Sequence, residues 1–412
     1  MRLIADFHIH SKFSRATSKD MDIPELTKWV NWKGIGLLGT SDFTHPVWLS
    51  SLKLKLKPRG DGLFEYNQTV FILTTEISNL WNWNGAGKRV HNLIFAPSFE
   101  IVDKLNRKLA NYGTLTSDGR PMLSLPGPDL VKLVMDISTD CMVIPAHAWT
   151  PWYSVFGSMS GFDTIQECFQ DQAKYIYALE TGLSSDPAMN WRLSALDKYT
   201  LISNSDAHSP SRLGRESNVF ELPELSYKSV TDAIKQKDKS KFLYTIEFYP
   251  EEGKYHYDGH RACQQRLAPK ETKKYNGICP VCKKPVTVGV MYRVAQLADR
   301  DEGYTPKNSI PYKNLVPLEE IIAAAIEKAP GTVAVQKQYE QLVAAFQNEF
   351  HILLDLTEEE MRRGGMPPKI INGIMKVRTG QLTIQPGYDG EYGIISIFPK
   401  AAETQPDQLS LF

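Results

Sequence analysis

LIADFHIH, residues 3–10, is the stretch on which the fold turns. Its apolar run from Leu3 to Ile9 reads as a strand, and strand side chains alternate faces with a period of two. Asp6, His8 and His10 therefore point the same way from the strand's C-terminal end, where two imidazoles can share a metal ion. Taken alone, H-x-H reads equally as two surface histidines; recurrence at the ends of other apolar runs gives it weight. Those runs are Gly36 to Gly39, Val70 to Thr75, Leu93 to Ala96, Met142 to Pro145 and Leu201 to Ser203. Helical patterning separates them, at Ile23 to Trp32, Phe99 to Tyr112, Leu130 to Ser138, Ile165 to Phe169, Met189 to Leu196 and Ser229 to Lys237. Strand and helix in alternation predict an α/β domain with a largely parallel sheet, which can close as a barrel.

Metal-binding residue types fall at the ends of these runs. Asp42 and His45 follow Leu37-Leu38, Glu76 follows Phe71 to Leu73, His147 follows Val143-Ile144, and Asp206 with His208 follow Leu201-Ile202, while His91 precedes Leu93. In an α/β barrel the strand ends converge on one face, where active sites sit. Imidazole with carboxylate suits Zn, Mn or Fe, and carboxylate also suits Mg; the residue types do not choose among them. A metal held by such groups lowers the pKa of bound water, and a second one nearby can clamp the opposite oxygen of a phosphoester undergoing hydrolysis. Lys12, Arg15, Arg212 and Arg215 flank the ligand motifs and read either as phosphate contacts or as solvated cations. Trp149, Trp152 and Tyr153, after His147, either contact a displaced base or roof the barrel.

The composition, 42% hydrophobic and 23% charged over 412 residues, excludes a disordered or collagen-like chain. Basic and acidic residues balance at 47 each, so the total charge argues neither for nor against a polyanionic partner. The balance hides a local bias, because residues 254–294 hold nine Lys or Arg against two acids. A membrane helix needs roughly 18 consecutive apolar residues, and Asp6 and His8 interrupt any secretory leader. The expectation is a cytoplasmic, nucleoid-associated protein with no membrane partner.

Within the basic stretch, His260-x-x-Cys263 and Cys279-x-x-Cys282 carry the spacing of a four-ligand structural zinc, with His256 the alternative fourth ligand. Cys141 and Cys168 read as buried small hydrophobes. Lys273, Lys274, Lys283, Lys284 and Arg293 are interleaved with tyrosines, a pattern for phosphate contact and base stacking, or for a plain solvated module. Beyond a linker-like stretch from Pro306 to Pro317 come helical patterns at Leu318 to Lys328 and Gln336 to Leu356 and a helix start at Thr357. Lys376 and Arg378 edge an apolar helix from Lys369 that reads as gripping DNA or as packing on the zinc module. The expected domains are 1–250, 251–300, 301–400 (mainly helical) and a flexible tail, 401–412. The tail ends Gln408-Leu409-Ser410-Leu411-Phe412. It matches the pentapeptide that binds the bacterial sliding clamp (beta clamp), with Leu409, Leu411 and Phe412 as apolar anchors and Gln408 as a hydrogen-bonding group.

The segments DFHIH (6–10), TSDFTH (40–45), TTEIS (74–78), RVHNL (89–93), PAHAW (145–149) and NSDAH (204–208) resemble the successive metal-ligand motifs of the PHP phosphoesterase family. That resemblance implies a distorted (βα)7-type barrel holding two or three divalent ions. His8, His10, Glu76, His91, His147, Asp206 and His208 match the pattern, and His8, His10, Glu76, Asp206 and His208 would form the catalytic centre. The chain departs from it at Phe43, where many members have His directly after the Asp, and at Arg15 and Ala16, where many carry an acid or His. With YDGHRAC (257–263), ICPVCKKPVTVGVMYRV (278–294), PPKIINGIMKVRTG (367–380) and PGYDGEYGIISIF (386–398), nearly the whole chain resembles the endonuclease Q family, in a bacterial form. The resemblance implies nicking of single- or double-stranded DNA 5′ to deaminated bases (hypoxanthine, uracil, xanthine) and abasic sites, with the lesion base flipped out. The residues also leave open a PHP-type phosphatase acting on nucleotides or small phosphoesters, and a non-enzymatic, clamp-tethered DNA-binding adaptor.

Overall fold

A computed structural model describes residues 1–398; the clamp-type peptide Gln408 to Phe412 lies outside them. β1 (Arg2–Asp6) runs parallel to β2 (Leu37–Gly39), which runs parallel to β3 (Thr69–Trp83). β3 turns back antiparallel into β4 (Ala86–Ala96), and β4 pairs antiparallel with β5 (Met142–Pro145). β6 (Ala178–Glu180) and β7 (Thr200–Ile202) form a parallel pair. Two single-residue bridges, Val143 to Ile176 and Ile9 to Ala207, join that pair to β5 on one side and to the end of β1 on the other. Beyond β1 the sheet extends antiparallel through β8 (Ser217–Glu221) and β9 (Phe242–Glu247).

Alternate residues of these strands feed two cores. Ala5, Phe7, Leu37, Ile72, Phe95, Ile144, Ala178 and Ile202 pack in one, while Ile4, Leu38, Phe71, Ile94, Val143, Leu179 and Leu201 join the larger cluster shared with the helices. Strands buried on both faces read as unbroken apolar runs, which is why the sequence displays them. The β3–β4 hairpin extends well beyond the apolar runs read from sequence, to a two-residue turn at Asn84 (φ 52°) and Gly85 (φ 81°), the left-handed pair that such turns require.

Helix α1 (Ile23–Lys33) starts on the Asp22 side chain, which accepts from the Glu25 N–H, and stops at Gly34 in the left-handed region. Its last residue, Lys33, is buried against Glu349 at 2.7 Å, and Glu349 also accepts from the Tyr339 hydroxyl, so the C-terminal region is anchored to the first helix. The stretch read as a linker contributes a strand instead: β10 (Tyr312–Asn314) pairs parallel with β9, knitting the C-terminal region onto the main sheet. The single helix read over Gln336 to Leu356 is two pieces. α2 (Leu318–Ile326) is followed by α3 (Val333–Ala345), which ends before Gln347 turns left-handed (φ 73°), and a separate wide turn spans His351–Asp355. α4 (Pro368–Arg378) packs on α2 rather than on the zinc module; Gly373 permits this, since a Cβ there would come 2.8 Å from Ile321. Among the described residues no helix is long and apolar enough to cross a membrane.

Candidate metal centre

Where the strands end, the chain turns sharply. Ser41, Asp42, His147 and Asp206 all adopt left-handed backbone (φ 50°, 47°, 30° and 46°). Each such turn costs a non-glycine residue on the order of 1–3 kcal/mol, an expense that clusters at functional sites. Gly182 is required opposite one of them: its φ is 64°, and a Cβ would sit 2.4 Å from that of His147.

Glu76 is the hub and is wholly buried. One carboxylate oxygen lies 3.3 Å from His8 Nε2 and 3.2 Å from His10 Nε2; the other lies 2.7 Å from His91 Nδ1 and 3.1 Å from His147 Nε2. Asp206 Oδ1 approaches His10 Nε2 at 3.1 Å and His208 Nδ1 at 3.7 Å. Three overlapping groups result, His8–His10–Glu76, His10–Asp206–His208 and Glu76–His91–His147, each with ligand atoms within 4.8 Å of one another. The donor set fits divalent ions. His8 Nε2, His10 Nε2 and Asp206 Oδ1 are buried without a hydrogen-bond partner, whereas the opposite ring nitrogens are engaged. His8 Nδ1 lies 3.1 Å from both oxygens of Glu180, and His10 Nδ1 lies 3.1 Å from Ser14 and 3.3 Å from Asp42. Carboxylates on the far nitrogen are the usual support for metal-ligating histidines, and they leave each Nε2 lone pair facing the cluster.

The electrostatics agree. Burial opposes ionisation of Glu76, but His91, Arg120 and His8 outweigh it and hold the carboxyl well below its usual range. Burial likewise opposes charge on His8, yet Glu180, Glu76 and Asp206 push its pKa well up. His91, penalised first by burial, falls to about 4. With the Nδ1 of His8 and of His10 each held by its partner, metal binding at Nε2 is coupled to loss of any proton that nitrogen carries.

Several sequence readings change. Asp42 is not in the ligand groups; it accepts from the Ser11 N–H at 2.7 Å and the Ser11 and Ser14 hydroxyls, and it supports His10. His45 is also outside them: it caps the helix Pro46–Lys55 and stacks on Phe13. Asp6 faces away to hold the N–H groups of Ser205 and Gly214. Arg215 donates to the Ser205 carbonyl at 2.8 Å and braces the Asp206 turn, while Lys12 and Arg212 pair with Asp22 and Glu320; Arg15 is exposed. Trp149 belongs to the core, only 1% exposed, its indole N–H donating to Asn190. Trp152 is exposed and borders a cavity of about 520 Å³ shared with Met159, Tyr255, Val288 and Tyr292; Tyr153 packs its ring on His91. Arg293, read as a phosphate contact, ties down the loop after His147 through the carbonyls of Phe156 and Phe162 and the Asp163 carboxylate. Arg378 spends its guanidinium on the carbonyls of Ile352, Leu353 and Leu356, and Lys376 donates to Ile397. Glu180 and Arg120 were missed. Glu180 carried a signal, since it ends a strand as the ligands do; Arg120, in a loop, carried none.

In the basic module the ligand atoms of His260, Cys263, Cys279 and Cys282 lie within 4.8 Å of one another, with Cys282 Sγ 3.6 Å from His260 Nδ1. His256 is outside this group, buried and stacked on Tyr257. The turn carrying the second pair is closed by bonds between Cys279 and both Lys283 and Lys284. Lys273, Lys274, Lys283 and Lys284 are exposed. The hairpin Thr383–Gln385 with Ile394–Ser396 reaches this module, where Asp389 accepts from the Arg261 N–H at 2.6 Å and the Thr287 hydroxyl at 2.5 Å.

Residues 317–381 match the family model of the MJ0043 C-terminal domain. The chain is 34% identical over 272 residues to the uncharacterised protein MJ0043 of Methanocaldococcus jannaschii, a match covering 64% of this chain and 33% of that protein's length. Over 409 residues it is 28% identical to the uncharacterised protein YqxK of Bacillus subtilis, covering 96% of this chain and 99% of the relative. Among solved structures it is similar to the lesion-specific endonuclease PfuEndoQ from Pyrococcus furiosus (TM-score 0.86, 33% identity, 98% of each chain). It is also similar to endonuclease Q in complex with a 27-mer duplex bearing an abasic lesion at the active site (TM-score 0.84, 33% identity, 98% of this chain and 99% of that one).

Proposed function

This chain belongs to the endonuclease Q family, and on that premise we propose that it is a DNA repair endonuclease acting on the 5′ side of deaminated bases and abasic sites. The observation that carries the reading is Glu76, one buried carboxylate whose two oxygens face two imidazole groups. A carboxylate so placed could help hold two ions at once, the arrangement two-metal phosphodiester hydrolysis uses. When bound, the ions would polarise the phosphate and activate water near neutral pH. The chain's own groups prepare the site: Glu180 and Asp42 orient His8 and His10, and Arg215 fixes the turn that presents Asp206. In the reaction a water oxygen bonds to phosphorus and the bond from phosphorus to the 3′ oxygen breaks. That oxygen takes a proton, leaving a 3′-hydroxyl and a 5′-phosphate on the lesion nucleotide.

We read the pairing path from β1 through β7 and back to β1 as a distorted seven-stranded PHP barrel. The cavity beside Trp152 takes the flipped base, which Trp152, Tyr255 and Tyr292 can stack upon. Lys273, Lys274, Lys283 and Lys284 contact the backbone, and the terminal pentapeptide tethers the enzyme to a sliding clamp. The test is incubation with duplexes carrying one hypoxanthine, uracil, abasic or undamaged site, with divalent metal and with chelator. A metal-dependent nick confined to the 5′ side of the lesion supports the reading, and cleavage indifferent to the lesion sinks it. Phosphate release from nucleotides without nicking would favour the phosphatase.

A further inference from the structure

Arg120 brings a fixed cation into the ligand cluster. One guanidinium nitrogen lies 3.1 Å from the Glu76 oxygen that also faces His8 and His10. Its side chain is 25% exposed, and among the described residues Nε and the second terminal nitrogen have no hydrogen-bond partner. Its loop is clamped from both sides. The Gly119 N–H donates to the Phe13 carbonyl beyond His10, the Gly119 carbonyl accepts from the Thr44 hydroxyl, and the Ser78 N–H, two residues past Glu76, donates to the Pro121 carbonyl. A Cβ at Gly119 would fall 2.2 Å from an Asp42 oxygen, so the backbone rests directly on the carboxylate that supports His10.

A guanidinium held beside a bridging carboxylate works against metal binding, because it competes for the same oxygen and repels any divalent ion bound there. An anionic oxygen placed beside it would be attracted both to the arginine and to any metal ion that His8, His10 and Glu76 would hold. We infer that Arg120 is a catalytic residue whose free N–H groups bind a non-bridging oxygen of the scissile phosphate. A paired, planar donor group suits phosphate, and a donor fixed in advance acts on the charge that grows in the transition state. The hydrolysis balances as above, since the arginine neither gains nor loses a proton.

This inference rests on the nuclease reading. Arg120→Met and Arg120→Lys are compared with wild type on the abasic duplex at saturating metal, with bound metal counted by mass spectrometry and inorganic phosphate used as inhibitor. The expected result for Arg120→Met is a kcat roughly 100-fold lower, unchanged metal content and weaker inhibition by phosphate, with Arg120→Lys recovering part of both. Guanidinium ion should partly rescue Arg120→Ala. Wild-type kcat in Arg120→Met, or loss of metal from both variants, overturns the assignment. If wild type leaves every lesion intact, the nuclease reading fails, and phosphate affinity alone then decides this inference: equal binding of inorganic phosphate to metal-loaded wild type and Arg120→Met by calorimetry would refute it.

Discussion

Changing Glu180 to Gln tests whether the far side of His8 governs the metal centre. The carboxylate is buried and accepts at every side: His8 Nδ1 lies 3.1 Å from both oxygens, Asn204 Nδ2 donates at 2.7 Å to one, and the His147 N–H donates at 2.7 Å to the other. An amide of the same shape keeps one acceptor. Its NH2 must face either Asn204 or the His147 N–H, donor against donor, and each buried donor left unpaired costs about 1–3 kcal/mol. Loss of the carboxylate also removes the charge that fixes the His8 tautomer. Such outer partners are typically worth 10–100-fold in metal affinity, or about 1.4–2.7 kcal/mol. The assay is competition between apo-protein and a chromogenic chelator for zinc or manganese, alongside thermal melting of the apo-protein. Affinity at the histidine cluster should fall by that factor while the Cys279–Cys282 site is unchanged, which serves as the internal control. Wild-type affinity in Glu180→Gln would refute the reasoning.

Burial, only partly offset by the Thr245 hydroxyl and reinforced by Asp186, lifts Glu247 to about 8. The folded protein thus keeps a proton that the unfolded chain gives up. The resulting stability is complete below about pH 4.5 and is lost as pH rises through about 8, so wild type should weaken by about 3 kcal/mol between pH 6 and 9. Glu247→Gln should flatten that slope in thermal melts, and parallel slopes would count against the buried proton. Arg378→Met, stripping donors from three carbonyls, should cost about 3 kcal/mol of stability and leave DNA affinity unchanged; the reverse pattern would restore the DNA-gripping role. Cys282→Ser should release one zinc per chain by mass spectrometry and weaken DNA binding while the histidine cluster keeps its metal. Binding to a lesion duplex should fall roughly 100-fold between 50 and 200 mM salt if about four lysines meet phosphates, and Lys283→Ala with Lys284→Ala should lower the salt slope by about two.

The metal centre was legible because chemistry and topology coincide at strand ends. An apolar run followed by Asp, Glu or His is readable locally: Asp6 closes β1, His147 follows β5 and Asp206 follows β7, while Glu76 lies inside β3, which continues to Trp83. The same rule applies to Glu180, the last residue of β6. What the rule cannot do is rank shells. Asp42 stands where a ligand would stand, and only its bonds to Ser11, Ser14 and His10 reveal that it serves the ligand instead. Arginines were the least legible. Their charge suggests phosphate, yet Arg293 and Arg378 are anchored on carbonyls, and the arginine that enters the cluster, Arg120, lies in a loop with no periodicity to mark it. Boundaries failed for a related reason. Tyr312–Asn314 is flanked by prolines and reads as linker, but an edge strand needs only a neighbour's free backbone, and β9 supplies it.

The equality of basic and acidic residues takes its meaning from where the acids are. Among the described residues nine carboxylates are buried, among them Glu76, Glu180, Glu216 and Glu247, against a single lysine, Lys33. Matching totals with unmatched burial leave the exterior with an excess of cations. Some buried acids pair with the histidine cluster, and others, such as Glu216 and Glu247, have their pKa raised, first by burial and then by Glu247 and by Asp186 respectively. Neither kind offsets charge at the surface. A chain can therefore be neutral on paper and still present a cationic exterior to a polyanion. The carboxylates of the histidine cluster, Glu76 and Glu180 among them, belong to that buried set, so the exterior is more basic than the total charge suggests.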